Sequence, residues 1–219
     1  MPEYSYRVIP IPVSSLLQSH VDKYTSLRLL ALGTNPESFS SNQDEERQFS
    51  PEQWRGRIDT DDRVTLIAVA SKQNSDTSSS SSSSTNSSFI NSSTLLDDDK
   101  SEWVGLITVL SPEFLKERMK DLPLKFQEFA MWLGEPAHVL VSMWVHPEHR
   151  RKGLGGRLIS GAIDWVKSRT VVVGQSAAVL EVLVENKEAV ELYRRLGFED
   201  IEKGSHSIWM GKKINQRIA

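Results

Sequence analysis

The residues from Val145 to Ile159 place an apolar strand, a short basic turn, closely spaced glycines and an amphipathic helix in that order. Such an order makes an anion cradle. Gly153, Gly155 and Gly156 let the backbone approach a ligand closely and turn its N–H groups outward. A helix beginning near Leu154 adds unpaired N–H groups and the positive end of its dipole. Arg150, Arg151 and Lys152 supply formal positive charge. A pyrophosphate is the natural occupant. The spacing does not suit a Walker A loop, which needs Gly-Lys-Ser/Thr, nor a Rossmann fingerprint, because Leu158 stands where the third glycine should fall.

A second segment with chemical potential runs from Leu180 to Phe198. Ala177 to Val184 is an apolar run of strand length, interrupted by Glu181. A carboxylate buried in such a strand has a raised pKa suited to accepting a proton, which makes Glu181 a candidate base. Exposure on the sheet's open face, or a bond to a neighbouring strand, is the structural alternative. Asn186 suits an N-cap, Glu188 the first turn, and Gly197 a left-handed helix stop before Phe198. Tyr193 offers a phenolic proton; its alternative is a core tyrosine on the helix's apolar face.

Arg150, Gly153 and Gly155 match the pattern Arg-x-x-Gly-x-Gly, and Asn186, Ala189, Tyr193, Gly197 and Phe198 match Asn-x-x-Ala-x-x-x-Tyr-x-x-x-Gly-Phe. On these two motifs, in this order, the chain resembles the GNAT superfamily of acyl-CoA-dependent N-acyltransferases. The resemblance is densest from Glu135 to Lys212 and fainter over Tyr24 to Ile58. It implies acetyl-CoA as co-substrate in a wedge where the fourth and fifth strands splay apart. The backbone of Met143 and Val145 would then bond the pantetheine like an added strand. Residues Arg150, Arg151, Lys152, Gly153, Leu154, Gly155 and Gly156 would hold the pyrophosphate, with the thioester near Asn186 and Tyr193. Tyr193 stands where the family donates a proton to the leaving thiolate. Glu181 precedes it by the spacing found in the acid/base pair of family members that acetylate protein N-termini. A backbone N–H at Met143 or a neighbour would take the developing oxyanion. Asn186 is shared between cofactor contact and simple capping, and Glu135 is a second base candidate.

Composition narrows the field. The 219 residues suit one well-buried core, and a formal charge of −3 gives no global field for nucleic acid. There is no cysteine, hence no disulfide, thiolate metal site or cysteine nucleophile. No apolar run is long enough to span a membrane, and no secretory signal opens the chain. A cytoplasmic protein is the expectation, with the nucleus as an alternative. His146 and His149 lie on a turn at Pro147 with no third ligand expected nearby, so no metal is assigned. No serine-hydrolase elbow is present.

The elements that must position these residues follow from periodicity. Strands are expected over Tyr4–Ile11 (at an edge), Val64–Ala70, Trp103–Leu110, His138–Val145, Ala177–Val184, Phe198–Glu202 and His206–Lys212. Helices are expected over Val13–Leu32, stopped by Gly33, from Ser50 to Ile58, from Leu154 to Val166 and from Lys187 to Leu196. On the first of these, Leu16, Leu17, Val21, Tyr24, Leu27, Leu30 and Ala31 share a face. Residues from about 71 to 100 lose periodicity around a serine run and read as a disordered insertion; those from about 111 to 134 read as a helical insertion. The expected architecture is a single mixed α/β domain over residues 1–219. It has a mostly antiparallel sheet of about seven strands, helices on both faces and a V-shaped splay between strands 4 and 5.

The expected function is direct acetyl transfer from acetyl-CoA to a primary amine of a small molecule or protein. The rival is a non-catalytic acyl-CoA-binding sensor, which could dispense with Glu181 and Tyr193. A monomer or weak homodimer is expected, with no nucleic acid and no membrane as partner.

Overall fold

The computed structural model describes residues 3–72, 96–98, 101–116, 124, 127, 137–169 and 175–215. Most of the serine-rich insertion, much of the second insertion, Glu135 and Trp132 lie outside the described residues. Seven strands form one sheet: β1 (Tyr4–Pro10), β2 (Arg63–Lys72), β3 (Ser101–Leu110), β4 (Ala137–Val145), β5 (Gln175–Leu183), β6 (Glu199–Lys203) and β7 (Ser207–Asn215). Their spatial order is β1-β2-β3-β4-β5-β7-β6. Every pairing is antiparallel except β4 with β5. The mixed sheet, its seven strands and the edge position of the first agree with the sequence reading.

The central strands are buried on both faces, and their alternation divides two cores. Val64, Leu66, Ala68 and Ala70 of β2 face a core built with helix α5 (Leu154–Arg169) and helix α6 (Lys187–Arg195). Ile67 and Val69, one residue out of phase, face the opposite core with Val21, Tyr24 and Leu27 of helix α1 (Gln18–Thr34). Helices thus cover both faces.

Three expectations need correction here. Helix α1 begins at Gln18, not Val13, and runs through Gly33 to an Asn35 cap. Its buried face holds His20 and Arg28, whereas Leu17 and Leu30 are 48% and 46% exposed. Both polar residues are buried because they have partners: Asp97 bonds His20, and Glu46 bonds Arg28. The stretch from Ser40 to Gln48 contains a short helix α2 (Gln43–Glu46), which brings Glu46 inward; Asn42 caps it by accepting from the Asp44 N–H. Helix α3 (Pro51–Gly56) starts with a Ser50–Gln53 capping box, as its sequence requires. Helix α4 (Pro112–Lys116) follows β3.

Candidate active site

The site originates where β4 leaves β5. Their parallel register runs from Ala137–Ala177 to Leu140–Leu180 and stops there. Beyond it β5 stays paired with β7 to Leu183, while β4 continues against β3 to Val145. The strands therefore diverge, and the wedge expected between the fourth and fifth strands is present.

A bulge sharpens the divergence. Leu106 pairs with Trp144 and Thr108 with Val141, so Ser142 and Met143 together face the single residue Ile107. Ser142 stands at φ 58°, in the left-handed region that a residue with a Cβ seldom adopts. Nothing in the sequence marks this position, since glycine or asparagine is the usual sign. Neither Ser142 nor Met143 has a register partner on a neighbouring strand, so the ladder releases backbone there.

Below the bulge opens a cleft of about 810 Å³. Met143, Glu181, Asn186 and Tyr193 all line it, so the structure brings these sequence candidates together. Tyr193 is buried at 7% exposure, and its O–H donates to Met143 Sδ at 3.4 Å. Burial raises its pKa from the usual 10 to about 12, so the phenol keeps its proton throughout the neutral range. Glu181 is exposed in the cleft rather than buried, and it accepts from Ser207 Oγ at 2.6 Å. The expected burial is therefore corrected: Glu181 is an exposed carboxylate bonded to the neighbouring strand, the structural alternative to a buried base. Asn186 caps α6, with Oδ1 accepting from the Ala189 N–H at 3.2 Å, and stays exposed at the cleft. Gly197, at φ 83°, ends that helix, and Phe198 turns back to bond the Tyr193 carbonyl.

The phosphate-binding candidates lie across the start of α5. Arg157 N–H bonds the Gly153 carbonyl. The N–H groups of Gly153, Leu154, Gly155 and Gly156 therefore precede the first helical bond and form the helix's donor end. Gly153 is left-handed, at φ 76°. A Cβ on Gly155 would lie 2.9 Å from Leu192 and 3.0 Å from Met143, so this glycine lets α5 pack against α6 and β4. A Cβ on Gly156 would meet nothing within 4 Å. Space for an anion therefore exists at Gly156, while Gly155 is a packing glycine.

The three basic side chains of the loop each have a partner within the protein. Arg150 donates to the Val145 carbonyl at 2.9 Å and to Asn35 Oδ1 at 2.6 Å, where Trp144 also donates. It ties the end of β4 to the end of α1. Arg151 bonds Glu188, and Lys152 bonds the Glu148 carbonyl beneath the rings of Tyr4 and Tyr6.

Other site features were invisible in sequence. Arg28 and Arg57 line the cleft, as do His206 and Ser207, because the turn between β6 and β7 folds over β5. Trp209 lines it too. His146, Glu148 and His149 come within 4.8 Å of one another, since a 3-10 turn over Pro147–His149 gathers them. This corrects the expectation that no third potential ligand is near. However, the Glu148 N–H donates to His146 Nδ1, so a neutral His146 carries its proton on Nε2 and presents no lone pair there.

Comparison with known proteins decides the family. The profile of the acetyltransferase (GNAT) family matches residues 83–198, which is more than half of the chain. The protein belongs to the GNAT acetyltransferase family. An uncharacterized N-acetyltransferase of Methanocaldococcus jannaschii is 42% identical over 72 residues, 33% of this chain and 30% of that protein. The chain thus spans under a third of that relative's length. A GNAT-family acetyltransferase from Streptococcus pneumoniae superposes with a TM-score of 0.55 at 17% identity, covering 97% of this chain and 100% of the other. Arabidopsis thaliana NAA60 in complex with acetyl-CoA superposes with a TM-score of 0.54 at 16% identity, covering 98% and 100%. Both likenesses are of fold. Among the described residues, no helix of this GNAT protein is long and apolar enough to cross a membrane.

Proposed function

We propose that this GNAT protein transfers an acetyl group from acetyl-CoA directly to a primary amine. The observation that carries the reading is the geometry of the wedge. β4 parts from β5 after Leu140, beside a cleft that holds Tyr193 and Glu181, and Met143 joins that cleft to the helix end at Gly155. The donor end of α5, open at Gly156, suits the pyrophosphate, and the diverging backbone at Met143 and Val145 suits the pantetheine.

The reaction forms a C–N bond and breaks a C–S bond. An amine is mostly protonated near neutral pH and cannot attack until it gives up a proton. Glu181, exposed in the cleft and ordered by Ser207, accepts that proton, directly or through one water. The Met143 N–H, released by the bulge, bonds the thioester oxygen as charge develops on it. Tyr193 already directs its O–H at a sulfur, and donates to the departing sulfur as the bond lengthens. A phenol near 12 is a weaker acid than an ordinary thiol, at about 8.5, so this hydrogen bond lowers the sulfur's charge without complete transfer. The proton shed by the acylated nitrogen neutralises the thiolate.

The test is a screen of primary amines, peptides included, with thiol release as readout, run on wild type and Tyr193→Phe. A turnover that the substitution lowers with unchanged acetyl-CoA affinity supports an enzyme. Acetyl-CoA binding with no turnover on any amine would point to a sensor.

A further inference from the structure

The reaction scheme leaves one fully buried cation unused. Arg28 is 2% exposed and its partner Glu46 is 3% exposed. Arg28 donates from Nη2 and Nε to the two Glu46 oxygens, at 2.7 and 3.0 Å. The third nitrogen, Nη1, donates to Ser142 Oγ at 3.2 Å. Ser142 is the left-handed residue of the β4 bulge. A buried ion pair adds little net stability over apolar residues of the same size, because both charges lose their water. What such a pair supplies is direction. The guanidinium fork held by Glu46 leaves Nη1 one fixed aim, and that aim is Ser142.

We propose that Arg28, oriented by Glu46, is a positioning residue that holds Ser142 in its left-handed conformation and so aims the Met143 N–H at the thioester oxygen. The inference rests on the acetyl-transfer reading above. Arg28 also lies 4.9 Å from the ring of Phe39, on the cleft wall. The same side chain therefore joins that wall to the bulge.

Glycine separates the tether from the backbone state it maintains. Serine at this φ needs the Arg28 bond, alanine has no bond to offer, and glycine adopts the conformation unaided. Acetyl-CoA and free coenzyme A differ at the thioester oxygen, so the ratio of their affinities reads the Met143 N–H. Calorimetry with both ligands on wild type, Ser142→Ala and Ser142→Gly is the experiment. Ser142→Ala is expected to lower the acetyl-CoA to coenzyme A affinity ratio about fivefold, the loss of roughly one hydrogen bond, and Ser142→Gly to keep it. The double variant Arg28→Met, Glu46→Leu removes the tether and both of its buried charges, leaving the lost Glu46 contact to fall on the part-exposed Arg57, and is expected to match Ser142→Ala. Equal ratios in the alanine and glycine variants, whether retained or lost, would overturn the proposal, as would a double variant that behaves like wild type. A wild type that binds neither ligand would instead remove the acetyl-transfer reading itself.

Discussion

Tyr193 and Glu181 divide the proton work, and each leaves a distinct trace in kinetics. Tyr193→Phe removes one O–H from a buried site without changing its shape. It is expected to lower kcat by about 10²-fold, with acetyl-CoA affinity unchanged in calorimetry, because the lost bond matters only as the sulfur departs. Glu181→Gln keeps the hydrogen bond to Ser207 and removes the proton acceptor. Its expected effect is a similar fall in kcat near neutral pH that recovers as pH rises toward the pKa of the acceptor amine, since a free amine needs no base. An unchanged pH–rate profile would exclude Glu181 as the base. These two residues were legible in sequence for different reasons. Tyr193 was read from a motif, and it is both a member of the core and a residue of the cleft lining. Glu181 was read as an isolated charge in an apolar strand, but the strand's outward face in fact opens onto the cleft.

At the scale of elements, the segments with strong local signals fold as their residues require. The Ser50–Gln53 box, the Asn186 cap and the Gly197 stop are local chemistry, and each is realised. Gly197→Ala is expected to destabilise the fold by about 1 kcal/mol, measured by urea unfolding, because its Cβ would be strained at φ 83° and would lie 3.0 Å from Lys212 Nζ. What sequence could not display are the long-range pairings. Arg28 meets Glu46 across 18 residues and Ser142 across 114, and Arg150 meets Asn35 across 115. Each looks like a surface charge when read by periodicity alone. Leu30 looked like core for the same reason, although Arg28 occupies that buried position. The bulge at Ser142 depends on β3 register and on a buried arginine, so no local residue pattern announces it.

Across the whole molecule, three buried titratable groups tie stability to pH in one direction. Burial lowers the pKa of His138 and of His149 below the ordinary 6.5, the latter also through Lys152. At Glu46 burial pushes the pKa up, but the hydrogen bonds and charge of Arg28, with the charge of Arg57, more than offset it and hold the group below 4.5. In every case the unfolded chain binds protons more readily than the folded one, so stability rises with pH. The melting temperature is therefore expected to be level from about pH 7 to 9, to fall as pH drops below about 6.5, and to fall again below about 4.5; above about pH 10 the raised Tyr193 pKa acts in the opposite direction. A melting temperature flat from pH 7 to 5 would contradict the histidine contribution. The seven-stranded mixed sheet and the wedge at strands 4 and 5 were legible because two motifs bracket them. The far wall of the cleft was not, because residues from α1, the segment from Glu37 to Ser41, Arg57 just after α3 and the β6–β7 turn assemble it. The central claim is that the wedge and the donor end of α5 receive acetyl-CoA. It is tested most directly by titrating acetyl-CoA into wild type and Gly156→Asp. That site has room for a side chain, and an acid in the first turn of a helix favours the fold. The account predicts micromolar or tighter binding by wild type and at least a tenfold loss, about 1.4 kcal/mol, in the variant, with its melting temperature unchanged or raised. Equal affinity in the two proteins, or no binding by wild type, would contradict it.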